Sequence, residues 1–260
     1  MGLWSFFFEP TCPVPVEQKR WLEKRMAWLI REFGLAKLRA VNVVTRTEEF
    51  FPDRYDATRD AACDIFARVC GFMGVDPARV RLRFFDDEAE FSLKDLNIPY
   101  ESSHSGAAGL YRGGDQKSEV ALSEGKLDQP HALVATIAHE LGHVILLGDN
   151  HVDRDEKDHE PLTDLATVFF GLGIFNANSA VYFEQTQSLG MHGHKWGRLG
   201  YLNMDQFGYA HALFALARKE GKPAWATHLR DDVHHAYKRA IKYISKTGDV
   251  DPEFVKAAGL

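Results

Sequence analysis

The sequence predicts an α+β protein, with a small twisted mixed sheet packed on one buried helix and a helical C-terminal half. Three observations predict this. Short strand-like segments precede the long helices, and none follows residue 123. The stretch from His131 to Leu147 is apolar nearly all round, the pattern of a helix inside a core. Residues 160 to 175, 203 to 219 and 230 to 246 then read as helices. With 260 residues and roughly 150 per domain, the chain has room for one large domain or two modest ones. The reading adopted is a single domain over 1–260, with an N-terminal α/β part to about 150 and a helical part from about 151.

Taken in order, Pro15 opens a segment in which Trp21, Leu22, Leu29, Ile30 and Phe33 recur on one side until Gly34, so residues 15 to 33 predict an amphipathic helix. The β-branched run Val41, Val43, Val44 and Thr45 predicts a strand over 39 to 45. Residues 56 to 73 predict a helix with Ala61, Ile65, Val69 and Phe72 inward. Residues 79 to 85 alternate Arg79, Arg81 and Arg83 with Val80, Leu82 and Phe84, which is a half-buried strand. A long loop is expected over 86 to 106. Two short strands, 109 to 112 and 119 to 123, follow on either side of a Gly113-Gly114-Asp115 turn. The apolar helix from His131 is stopped by Gly148.

Composition excludes several classes. Hydrophobic residues at 45% and charged residues at 26% rule against a disordered chain. A net charge of -6 and a pI near 6.1 leave no bulk electrostatic footprint for nucleic acid or anionic lipid. The pairs Lys19-Arg20 and Lys24-Arg25 read as a solvated helix face. Cys12, Cys63 and Cys70 form no CxxC pair, so buried reduced thiols are expected rather than disulfides or a zinc ribbon. The opening residues lack the basic region of a secretory signal, and His139, Glu140 and His143 interrupt the one long apolar stretch. The expectation is a cytoplasmic protein with no membrane partner.

The chemistry concentrates in His139-Glu140-Leu141-Gly142-His143. Two histidines four apart on a helix project from one face about a turn apart, as two ligands of a tetrahedral zinc must. A carboxylate directly after the first is angled past the metal, where it can take a proton from the attacking water. Burying two imidazoles and a carboxylate in an apolar helix costs several kcal/mol unless a metal or dense hydrogen bonding compensates. The plain alternative is core histidines satisfied by polar neighbours.

These residues resemble the HExxH zinc metallopeptidases, and within them the gluzincins, the thermolysin-like enzymes and their relatives. The resemblance covers residues 119 to 164 and not the whole chain. It implies a zincin-like fold and one zinc per chain, held by His139, His143 and a glutamate on the following helix, with Glu140 as general base. Glu160-Pro161-Leu162-Thr163-Asp164 matches the spacing of that glutamate and of an aspartate, Asp164, that bonds a ligating histidine. Pro161 disfavours the helical conformation at Glu160, which would make Glu160 the helix cap, so Asp164, His151 and His159 stay open as third ligands. A metzincin would need a third histidine at 149, where the chain has Asp149.

The resemblance also implies an edge strand, residues 119 to 123, that holds an extended peptide substrate, and an oxyanion-stabilising side chain drawn from Tyr201, Tyr209, His211, His192 and His194. The C-terminal helices are expected to close the far side of the cleft. The acidic loop with Asp149, Asp153, Asp155, Glu156 and Asp158 lacks the spacing of a calcium loop and reads as solvated. The expected activity is zinc-dependent peptide-bond hydrolysis. A zinc hydrolase of non-peptide amides or esters, and a non-catalytic zincin-like binding protein, are the alternatives.

Overall fold

The computed structural model describes residues 10–86, 109–112, 118–153, 155–179 and 202–260. Helices dominate, and the strands form one mixed sheet, so the protein is α+β. It packs as two compact units, Asn42–Tyr201, and Met1–Val41 together with Leu202–Leu260. This division is not the expected one near residue 150. The N-terminal helix joins the C-terminal helices because its stripe of Leu22, Met26, Leu29 and Ile30 is buried in an all-helical core.

That helical unit contains α1 (Val16–Phe33), α2 (Leu35–Ala40), α7 (Met204–Ala217), α8 (Asp231–Thr247) and α9 (Pro252–Ala258). Helix α1 packs on α7 and α9, and α7 packs along α8. The approach of α7 to α8 needs Gly208, where an added Cβ would lie 2.8 Å from the Tyr237 nitrogen and 2.9 Å from the Val233 oxygen. A buried polar knot ties the unit together. Glu23 accepts from the Tyr209 hydroxyl at 2.6 Å, from Lys19 Nζ at 3.2 Å and from the Asp251 amide at 3.2 Å.

The segment 39–45 is not the predicted strand. Its first two residues finish α2, where Arg39 donates to the carbonyls of Ala217 and Ala258. In the other unit the Val44 amide donates to the Gly171 carbonyl, so the extended backbone there bonds a loop and joins no sheet. β-Branched content marks extended backbone, and sheet membership needs a partner strand that the sequence does not reveal.

The second unit holds α3 (Arg59–Met73), β1 (Val80–Phe85), β2 (Gly109–Arg112), β3 (Ser118–Ser123), α4 (Pro130–His143), α5 (His159–Phe169) and a further helix, α6, over 173–179. Thr58 caps α3 by accepting from the Ala61 amide, and Gly74 ends it in the left-handed region at φ 72°. Strand order is β1-β3-β2, with β1 parallel to β3 and β2 antiparallel to it. Residues 119–123 therefore lie in the central strand, which corrects the expected edge strand: both sides of their backbone are spent on β1 and β2. The predicted turn at 113–115 and most of the predicted loop, 87–106, lie outside the described residues.

Helix α4 starts with Pro130 in its first turn and runs on into a π-helical turn, Val144–Gly148. α3, α5, β2 and β3 all pack against it. By length and composition Pro130–Gly148 is long and apolar enough to cross a membrane, and most of it is buried inside this unit. The helix predicted over 160–175 is two helices, because Gly171 at φ 83° breaks the run. Cys70 is buried and its thiol is pushed up to about 12 by that burial, whereas Cys63 is exposed and Cys12 half-buried, so the expectation of buried thiols holds for Cys70 alone.

Candidate metal centre

Helix α4 supplies His139, Glu140 and His143, and α5 supplies Glu160, Thr163 and Asp164. The two helices touch at Gly142, where an added Cβ would stand 2.7 Å from Thr163 Cγ2. This close approach brings one turn of each helix to a common point. His139, Glu140 and His143 are 6%, 2% and 4% exposed, so their polar atoms must be satisfied by the protein or a ligand.

His139 Nε2 lies 3.1 Å from His143 Nε2 and 3.2 Å from Glu160 Oε2, and His143 Nε2 lies 3.5 Å from the same oxygen. A tetrahedral ion with bonds of about 2.0–2.1 Å holds its ligand atoms about 3.3–3.4 Å apart, so these three atoms already have the spacing of one face of such a site. They form a group able to hold a metal ion. The donor set, two imidazole nitrogens and a carboxylate oxygen, fits zinc and other first-row divalent ions.

The far side of each ring is fixed. Asp164 Oδ1 accepts from His139 Nδ1 at 2.9 Å. The Thr163 hydroxyl donates to the His159 carbonyl at 2.7 Å, so its oxygen serves as acceptor for His143 Nδ1 at 3.3 Å. With each Nδ1 bonded outward, the Nε2 of both rings faces the common point, the orientation a metal would need. Burial works to lower the His139 pKa, but its hydrogen bonds to the Asp164 and Glu160 carboxylates outweigh it and hold His139 well above the usual histidine value. Burial likewise works to raise Glu160, and its bonds to His139 and His143 outweigh it and keep that carboxyl well below the usual range. Burial raises Glu140, with the two histidines opposing.

The other sequence candidates fall elsewhere. Glu160 sits inside the first turn of α5 and Asp158 takes the cap position. Pro161 is tolerated there because amides of a first turn have no intrahelical acceptor. Asp164 is bonded to His139 rather than grouped with the three ligand atoms, and neither His151 nor His159 belongs to that group. His159 is a neighbour all the same: its ring centroid lies 5.8 Å from that of His143, and its buried Nδ1 has no hydrogen-bond partner. Tyr209 and His211 belong to the helical unit, where Tyr209 donates to Glu23 and His211 Nδ1 bonds the Phe207 carbonyl at 2.7 Å. Burial lowers His211 to about 4, so it is neutral. His192, His194 and Tyr201 lie outside the described residues, and Asp149 of the acidic loop pairs with Arg79.

Sequence reasoning missed Thr163 and Gly142. Thr163 stands three residues after Glu160, hence on the same helix face, which is the signal that would have found it. No family model, curated protein or solved structure matches this chain.

Proposed function

We propose that this chain is a zinc-dependent peptidase of the gluzincin type, with a zincin-like arrangement of its second unit. The observation that carries the reading is the meeting of His139 Nε2, His143 Nε2 and Glu160 Oε2 at 3.1–3.5 Å beside a buried glutamate that is not one of the three. A zinc ion held by these atoms would polarise a substrate carbonyl and bring a water molecule's pKa toward about 7.

The chain's own residues supply the rest. Asp164 and Thr163 hold the two imidazoles in the ligating tautomer. Glu140 takes the proton of the attacking water and returns it to the departing amine. Its carboxyl, raised by burial, is a stronger base than an exposed glutamate, which suits that role. An extended peptide pairs with an outer strand of the sheet, since β3 is filled on both sides.

The test is Glu140→Gln, compared with wild type for zinc content and for cleavage of a mixed peptide library read by mass spectrometry. The variant keeps one zinc per chain and loses about 10²–10⁴-fold in rate. Equal cleavage by wild type and variant, or no cleavage of any peptide by the zinc-replete wild type, overturns the reading.

A further inference from the structure

A cavity of about 300 Å³ lies where α3 meets the first turns of α4. It is a different place from the metal centre. At about 100° per residue, Val134 in its wall and His139 point about 140° apart around α4. The wall is completed by Ala61 and Ile65 of α3, whereas the metal face of α4 meets α5. Its volume is at the small end of the about 300–1,000 Å³ range of small-molecule sites.

The lining has an apolar body and a rim of charged side chains, with Arg46 at the α4 end. Phe51, Ile65, Val134 and Phe175 form the body, with the Phe51 and Phe175 rings edge-on at 5.6 Å. Most polar groups at the wall are spent: Tyr55 donates to the Leu127 carbonyl at 2.6 Å, and Arg68 bonds Asp53 at 2.5 Å. Arg46 is different. Among the described residues its hydrogen-bond contact is His131 Nδ1 at 3.4 Å, and no carboxylate lies within ion-pair distance, although Glu48 and Asp64 also line the wall. Burial and the Arg46 charge lower the His131 pKa, so that ring is neutral and an acceptor for Arg46. Pro130 and His131 are the first residues of α4, and the cap residue Gln129 gives that end no side-chain hydrogen bond.

We propose that this cavity is a second binding site, for a small carboxylate carrying an aromatic or branched apolar body. The carboxylate lies against Arg46 at the α4 N-terminus, and the body fills the space between Phe51, Ile65, Val134 and Phe175. A fork of guanidinium donors is suited to a carboxylate, and the aromatic walls bury the rest.

The probe is 3-phenylpropionate, titrated calorimetrically into the full chain, with the isosteric 3-phenylpropanamide as neutral control. Binding is saturable with one probe per chain. Arg46→Ala, at an exposed position, weakens it at least about tenfold, as does replacing the acid by the amide. Ala61→Phe, which fills the cavity from a half-buried position, abolishes it, and His143→Ala leaves it unchanged. Each variant's unfolding midpoint verifies the fold. Absence of saturable binding at millimolar probe overturns the proposal. So does equal affinity for acid and amide. So does binding that survives Arg46→Ala and Ala61→Phe but disappears in His143→Ala, because the probe is then on the metal centre.

Discussion

Gly142→Ala is the substitution that examines the candidate metal centre's construction most directly. The new methyl would lie 2.7 Å from Thr163 Cγ2 and 3.5 Å from the Thr163 carbonyl oxygen. Thr163 is fully buried, and its β-branched side chain has its hydroxyl bonded to His159, so the methyl cannot rotate away without breaking that bond. Overpacking of this kind costs about 1–3 kcal/mol, and alanine regains about 1 kcal/mol over glycine in a helix interior. The net expectation is a loss of up to about 2 kcal/mol. Moving α5 outward also separates Glu160 from the histidines and withdraws Thr163 from His143, so zinc affinity falls by about 10–100-fold.

Thr163→Ser supplies the control, since it deletes Cγ2 and keeps the hydroxyl. In the double variant the alanine methyl occupies the space the threonine methyl left, and stability and zinc affinity return close to wild type. A double-mutant cycle should give a favourable coupling of about 1–3 kcal/mol. Denaturant unfolding of the metal-free proteins and competitive zinc titration measure the two quantities. If Gly142→Ala alone is as stable as wild type and holds zinc as tightly, α4 and α5 do not meet at this point and the account of the site is wrong.

Three further outcomes are expected. Gly208→Ala should cost at least about 3 kcal/mol, because two of the atoms its Cβ meets, Tyr237 N and Val233 O, are backbone of α8; an unchanged unfolding midpoint would contradict the packing. Asp164→Ala should weaken zinc binding by about 10–100-fold and Asp164→Asn by less, since the amide oxygen still accepts from His139 Nδ1; equal losses in a competition titration would show that charge alone matters there. Zinc loading should strengthen with pH. His139 has a raised pKa in the metal-free fold, so its proton stabilises that fold at pH below the ordinary histidine value, and this contribution is lost as pH rises through the raised one. Zinc must displace that proton, which gives about tenfold tighter binding per pH unit below the raised value; affinities equal at pH 6 and pH 7 would refute it.

Much of the fold was legible because local signals and tertiary packing agree. The stripe of α1, the helical periodicity of α3 and the alternation of β1 each state a local preference that the packing preserves. The failures occur where the outcome depends on a distant partner. Residues 39–45 have strand composition, but Arg39 finds the carbonyls of Ala217 and Ala258 and the Val44 amide finds Gly171, neither visible from the segment itself. The placement of 119–123 failed similarly: whether a strand is central or at an edge is a property of its neighbours, and β1 returns to it in parallel from 38 residues upstream by register, Val80 against Ser118.

The grouping of the candidate site's side chains was more legible than the fold around it, for a physical reason. His139 and His143 are four residues apart on one helix, and Glu160 and Asp164 are four apart on the next, so helical geometry alone fixes which side chains share a face. What spacing cannot supply is the distance between the two faces. That is set by Gly142 and Thr163, which are unremarkable letters in a sequence until the helices are brought together. With a larger residue at 142, the face of α5 that carries Glu160 and Asp164 would stand farther from His139 and His143. The HExxH pattern puts two histidines on one face, and the absence of a side chain at Gly142 between them is what lets the second helix bring Glu160 within 3.2 Å of His139.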